Sequence, residues 1–313
     1  MNYSKSNKPT DPVEIDENEE IVHQDAWQKL RQFTDARIGL GRVGTSIPTA
    51  ELMRFQLSHA QAMDAVHVPL DVNQLAEEFA QCELLKPYLP LYKLHSKAKD
   101  RIEYLQRPDL GRQLDDASMS ALKPASGTRP YDLVFVIADG LSSYAISHHA
   151  LPFLQKLIHR LHQDSDLQGE QEDAVEGRLK SVPQWHIAPI CVVQQGRVAV
   201  GDDVCETLNA KQVVLLIGER PGLSSPDSMG LYMTWNAKRG IEDSLRNCIS
   251  NIRPQGLQYD AAVHKSHYLL SESKRRSLSG VNLKDRSQDS LLDNTEQQYF
   301  CLTSDNNDLP INH

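Results

Sequence analysis

No stretch of this sequence is apolar for long enough to cross a bilayer, so a membrane-spanning role is not expected. Positive charge is also short. The 33 Lys and Arg stand against 42 Asp and Glu, for a net charge of −9, so the basic face needed to bind a phosphate backbone is not expected either. Cysteine is sparse and odd in number. Cys82, Cys191, Cys205, Cys248 and Cys301 form no CxxC pair, which argues against a disulfide framework and a zinc site and fits a reducing cytoplasm. The opening MNYSKSNKPTDPVEIDENEE is polar and then acidic, unlike a secretory signal. No GxGxxG follows a strand pattern, and there is no GxxxxGK[ST], HExxH or GxSxG. The familiar dinucleotide, P-loop, zinc-protease and serine-hydrolase signatures are therefore missing.

What is present suits a globular chain. Hydrophobic residues make up 40% of the 313 and charged residues 24%, enough for one large domain or two modest ones. Residues 1–24 read as a disordered or loosely held arm and residues 286–313 as a polar tail in which Tyr299, Phe300 and Leu302 are the apolar anchors. Residues 25–125 have a helical pattern with no convincing strand. Pro48 opens a helix carrying Leu52, Phe55 and Ala60, and DARIGLGRVGTSIP before it, with three glycines and two arginines, requires a shaped loop. RPDLGRQL reads as a turn leading into a helix around Ser118–Leu122.

The pattern changes in residues 126–285. YDLVFVIADG, WHIAPICVV (broken or edged by Pro189) and QVVLLIG read as strands, and VCETLNA as a short helix. Leu151, Leu154, Leu157, Ile158 and Leu161 fall on one helical face, and Pro152 marks the start of a new helix there. Continuous apolar strands alternating with helices predict an α/β fold, a Rossmann-like open parallel sheet covered by helices and preceded by the helical N-terminal region. The acidic stretch around 163–180 reads as a solvated insertion.

In such sheets ligands bind beyond the carboxyl ends of the strands, and two strand ends carry unusual residues. Asp139-Gly140-Leu141-Ser142-Ser143 suits either a ligand's hydroxyl or phosphate groups at a helix N-terminus or plain helix capping. In Gly218-Glu219-Arg220-Pro221-Gly222 a stiff turn presents a carboxylate at the mouth of the sheet. Gly222 there admits a conformation closed to other residues. The alternative is a self-satisfied Glu219–Arg220 pair. His148-His149 reads as a surface pair without metal-ligand spacing. Cys248 in RNCISNI reads as a small hydrophobe rather than a nucleophile. No complete catalytic constellation emerges, which points to a binding subunit or to half of an enzyme.

Seven segments in order, ARIGLGRVGTSIPT, YLQRPDLGRQL, VFVIADGLSSYAI, QQGRVAVGD, VVLLIGERPGLSSPDSMGLYMTW, NCISNIRPQGL and SGVNL, resemble the small (light) subunit family of ethanolamine ammonia-lyase over about residues 25–285. The resemblance implies an adenosylcobalamin-dependent ammonia-lyase converting ethanolamine to acetaldehyde and ammonia. It implies a large-subunit partner that houses the radical chemistry, a higher hetero-oligomer, and cobalamin between the two subunits. It also implies cofactor contacts at the Val of QGRV, the Glu of GERPG and the Cys of NCISN, here Val198, Glu219 and Cys248. The chain lacks the DxHxxG pattern of proteins that replace cobalamin's lower base, so the base is expected to stay on cobalt. Some relatives carry an N-terminal amphipathic helix that directs the enzyme into a bacterial microcompartment. Residues 1–24 show no clear apolar stripe, and the location expected is the cytoplasm, with or without such a compartment. Two other readings remain: a self-sufficient nucleotide-using α/β enzyme with Asp139 as acid or metal ligand, and a scaffold that leaves the cofactor to its partner.

Overall fold

A computed structural model describes residues 21–166 and 185–287. The expectations for residues 1–20, for most of the acidic stretch and for the tail beyond 287 fall outside them. The chain forms two compact units, Met1–Ala62 and Met63–His313.

In the first unit a 3-10 helix (Ala26–Gln32) precedes the glycine-rich loop, and helix α1 (Thr49–His67) begins directly after Pro48. The loop is shaped as its composition requires. Gly39, Gly41 and Gly44 all take positive φ, and a Cβ on Gly39 would lie 2.6 Å from the Gln28 amide nitrogen. Arg31 grips Glu51 through both guanidinium ends, at 3.0 and 3.2 Å.

The second unit is built on one six-stranded sheet. Its elements are α2 (Val72–Gln81), β1 (Tyr92–His95), α3 (Arg101–Gln106), α4 (Asp116–Leu122), β2 (Val134–Ala138), α5 (Ser143–Asp166), β3 (Cys191–Gln194), α6 (Val200–Thr207), β4 (Gln212–Gly218), β5 (Met229–Trp235), β6 (Arg246–Ile252) and α7 (Tyr259–Arg276). The strand order is β1-β3-β2-β4-β5-β6. The first four strands are parallel, while β5 runs antiparallel to both β4 and β6.

One face of the sheet carries Phe135, Ile137, Val214, Leu216, Leu231 and Met233, which pack with residues of α2, α5 and α7. The other carries Val134, Val136, Val193, Val213 and Leu215 under α4 and α6. The alternation along each strand assigns these faces. Each large apolar side chain fully buried contributes about 1.5–3 kcal/mol, and Phe135, Ile137, Phe153 and Leu157 are all completely enclosed.

Three expectations need correction. Residues 25–125 do contain a strand, β1, only four residues long and therefore too short to show a period. The sheet is mixed rather than all parallel, because MGLYMTW and RNCISNI, not read as strands, are β5 and β6. Pro152 does not start a helix but lies inside α5. The apolar stripe of that helix runs unbroken from Ala145 and Ile146 through Phe153 and Leu154 to Leu161. Burial on that scale outweighs the roughly 3 kcal/mol that an interior proline costs.

Candidate functional site

The strand end at Asp139 is used up by the fold. Its carboxylate oxygens accept from the Gln195 amide at 2.9 Å and the Gly196 amide at 3.1 Å, and Arg101 lies 3.8 Å away. Complete burial pushes the Asp139 carboxyl up, against those two amides and the guanidinium. Ser142 accepts from the Ala145 amide at 3.1 Å, capping α5, and donates to the Pro226 carbonyl at 2.8 Å. Of the two accounts open for this turn, capping is the one observed.

The GERPG turn behaves differently. A Cβ on Gly218 would sit 2.0 Å from the Ser142 carbonyl oxygen, so the two strand-end turns touch only because this residue is glycine. Gly222, assigned a special conformation from the sequence, is not among the positive-φ residues. It instead closes a tight two-way backbone bridge with Ser225 at 3.1 Å. Nor do Glu219 and Arg220 satisfy one another. Arg220 is exposed, while Glu219 Oε2 accepts from the Asn251 amide at 3.2 Å and from the Ser228 hydroxyl. The remainder of the loop is tied down from outside. Arg253 donates to the Ser224 carbonyl at 3.2 Å and pairs with Asp227 at 3.1 Å. His149 sits between Asp227 at 3.4 Å and the Tyr259 hydroxyl at 2.6 Å. His149 is thus a buried clamp, whereas only His148 is exposed as expected.

Val198 and Cys248 meet in one open pocket of about 450 Å³, lined also by Pro108, Arg112, Arg197, Tyr232, Asp243 and Arg246. Topology accounts for the opening. Parallel strands need crossover helices, and α6 packs on β2 and β4. An antiparallel β5–β6 pair needs no crossover, so its side of that face lies open. Tyr232 on β5 stands directly opposite Cys248 on β6. Glu219 does not line the pocket, but its charge acts on both Tyr232 and Cys248. Two of the three residues named from the sequence, Val198 and Cys248, thus share one pocket wall, and Glu219 lies outside that lining, tied to β6 through the Asn251 amide.

The Cys248 side chain is exposed, yet partial desolvation raises its thiol pKa above the ordinary range. Glu219 adds to the shift and the Tyr232 hydroxyl opposes it. The thiol is protonated at neutral pH, consistent with a contact surface and unlike a nucleophile. Arg246 is held from behind by buried Asp202 in a forked pair at 2.7 and 2.8 Å, and its Nε meets Asp243 at 3.0 Å. Arg197 lies over the Tyr104 ring at 4.2 Å. Arg112, Arg197, Tyr232 and Arg246 were not singled out in the sequence. Their one signal was position, since each lies within or beside a quoted segment. Among the described residues no cluster of His, Cys, Asp and Glu is placed to hold a metal ion, and no helix is long and apolar enough to cross a membrane.

Comparison with known proteins decides the family. The ethanolamine ammonia-lyase light chain (EutC) family model matches residues 24–284. The chain belongs to this family. Relatives named ethanolamine ammonia-lyase small subunit include one from Pseudomonas fluorescens strain Pf-5, 49% identical over 279 residues, with 88% of this chain and 92% of the relative covered. The relative from Pseudomonas syringae pv. tomato is 48% identical over 268 residues, covering 84% of each. The light-chain match spans both strand-end turns and the whole described pocket.

Proposed function

We propose that this chain is the small subunit of an adenosylcobalamin-dependent ethanolamine ammonia-lyase, and that Val198, Glu219 and Cys248 hold one side of the cofactor against a large subunit. The observation that carries this reading is the meeting of Val198 and Cys248 in one pocket, with Glu219 bonded to the strand that carries Cys248, in a chain of the light-chain family.

The donor set fits the group. Cobalamin presents peripheral amides, a phosphodiester, a ribose and a flat base. Among the described residues both hydrogen bonds made to the Glu219 side chain fall on Oε2, so Oε1 keeps lone pairs for an amide N–H or a hydroxyl. Val198 and the protonated Cys248 thiol offer apolar and soft contact. A pocket of about 450 Å³ open on one side holds part of so large a ligand, and a second chain completes the enclosure. Bound adenosylcobalamin supplies the radical chemistry; this chain supplies binding and orientation. A cytoplasmic or microcompartment setting accompanies this reading.

The nucleotide-enzyme reading is not favoured, because Asp139 is consumed by two backbone amides. To test the proposal, the chain is produced with and without its large subunit and assayed for ethanolamine turnover with adenosylcobalamin. Turnover by the pair alone is expected. Glu219→Ala in the pair should weaken cofactor binding about tenfold, the value of one charge-assisted hydrogen bond. Unchanged affinity would favour the scaffold reading, and turnover by the chain alone without cobalamin would overturn the proposal.

A further inference from the structure

The pocket wall is positively charged in a chain that is not. Arg112, Arg197 and Arg246 line it against a single carboxylate, Asp243, while the whole sequence carries −9. Asp202 neutralises Arg246 from behind, so one net positive charge remains, carried by Arg112 and Arg197. Neither is fixed by a strong partner. Among the described residues Arg112 reaches only the exposed Asp243, at 3.2 Å, and that carboxylate is shared with Arg246 at 3.0 Å. An exposed pair of this kind contributes little. Arg197 is stacked on Tyr104 and donates through Nη2 to the Tyr104 carbonyl at 3.3 Å, while its Nε is buried without a partner.

The charges are also ordered along β6. Arg246 stands at its start, Cys248 is two residues on, and the Asn251 amide near its end donates to Glu219. The site thus has a guanidinium end and a carboxylate end, with Cys248 and its cross-strand neighbour Tyr232 between them. A ligand that fits carries an anion at one end and hydrogen-bond donors at the other.

We infer that Arg112, assisted by Arg197, binds the phosphodiester of the cofactor's nucleotide tail and so sets which way round the cofactor lies, with its peripheral amides toward Glu219. In the bound state the anion takes over the Arg112 contact that Asp243 makes without it. This rests on the cobalamin reading proposed above.

The test is spectrophotometric titration of the two-subunit complex with three corrinoids: hydroxocobalamin, cobinamide phosphate, which keeps a phosphate but no base, and cobinamide, which has neither. Arg112→Ala should weaken the first two about tenfold and leave cobinamide unchanged. Arg112→Lys keeps the charge but loses the fork, and should fall between wild type and Arg112→Ala. Equal loss with all three corrinoids, or no loss with any, would overturn the inference while leaving the cobalamin reading intact. Loss confined to hydroxocobalamin would overturn it too, by assigning Arg112 to the base. A wild-type complex that binds none of the three would overturn the cobalamin reading itself. Arg112 is half-exposed, so both variants should retain the wild-type thermal midpoint.

Discussion

Cys248 shows how a residue's surroundings decide its role. The side chain faces solvent, but its thiol pKa is raised by partial desolvation and by Glu219. Raising a thiol pKa reduces the thiolate fraction at any pH below it. Alkylation of Cys248 by iodoacetamide at pH 7.5, followed by peptide mass spectrometry, should therefore run slower than for a free thiol. The rate should still be climbing at pH values where a free thiol has levelled off. Fast, pH-independent modification would contradict this. At this scale the sequence was legible in residue type and not in geometry. Val198, Glu219 and Cys248 were named through the segments that carry them, and two of them, Val198 and Cys248, line one pocket. The Glu219–Arg220 pair was not legible, because adjacent side chains do not reveal that Ser228 and Asn251 bring the nearer donors. Gly218, rather than Gly222, is the glycine the turn cannot lose, and that follows from a chain crossing that no local pattern shows.

Among elements, the loop after β4 is clamped by groups drawn from α5, α7 and the turn after β6. Burial lowers the pKa of His149 below its ordinary 6.5, against the pull of Asp227, and His148 and Arg253 lower it further. The sign follows from linkage. A histidine whose folded pKa is depressed takes up its proton more readily when unfolded, so stability is lost as pH falls through 6.5 toward the folded value. Urea unfolding should show the chain less stable at pH 5 than at pH 7, and His149→Gln should flatten part of that slope. An unchanged slope would show that protonation elsewhere dominates. The parallel strands β2, β3 and β4 and the helix α5 were readable because each lies in a long apolar run or period, whereas α7, with its Lys- and Arg-rich end, was not read. β1 was not, with four residues, and β6 was not, because its alternation fails at Asn251, where φ is +59°. Pro152 misled for a definite reason: a proline's local cost is visible in sequence, and the burial that outweighs it is not.

For the whole molecule, the candidate site is open on one side, so binding should depend on a second chain. A ligand that binds only the folded state stabilises it by about 2.7 kcal/mol at one hundred times its dissociation constant. The thermal midpoint of the two-subunit complex should therefore rise on addition of hydroxocobalamin, while that of this chain alone should move little. An equal rise in both would mean that the pocket is complete without a partner.

The reversal of strand direction at β5 has a consequence for how such a site can change. Nucleotide sites at glycine turns hold phosphate with main-chain amides, and a substitution there disturbs the path of the chain. Here the open side of β5 and β6 presents side chains that stand on finished hydrogen-bond ladders. Positions such as Tyr232 and Cys248, on β5 and β6, can be exchanged singly while the backbone stays where it is. A surface built this way can be retuned by ordinary point mutation.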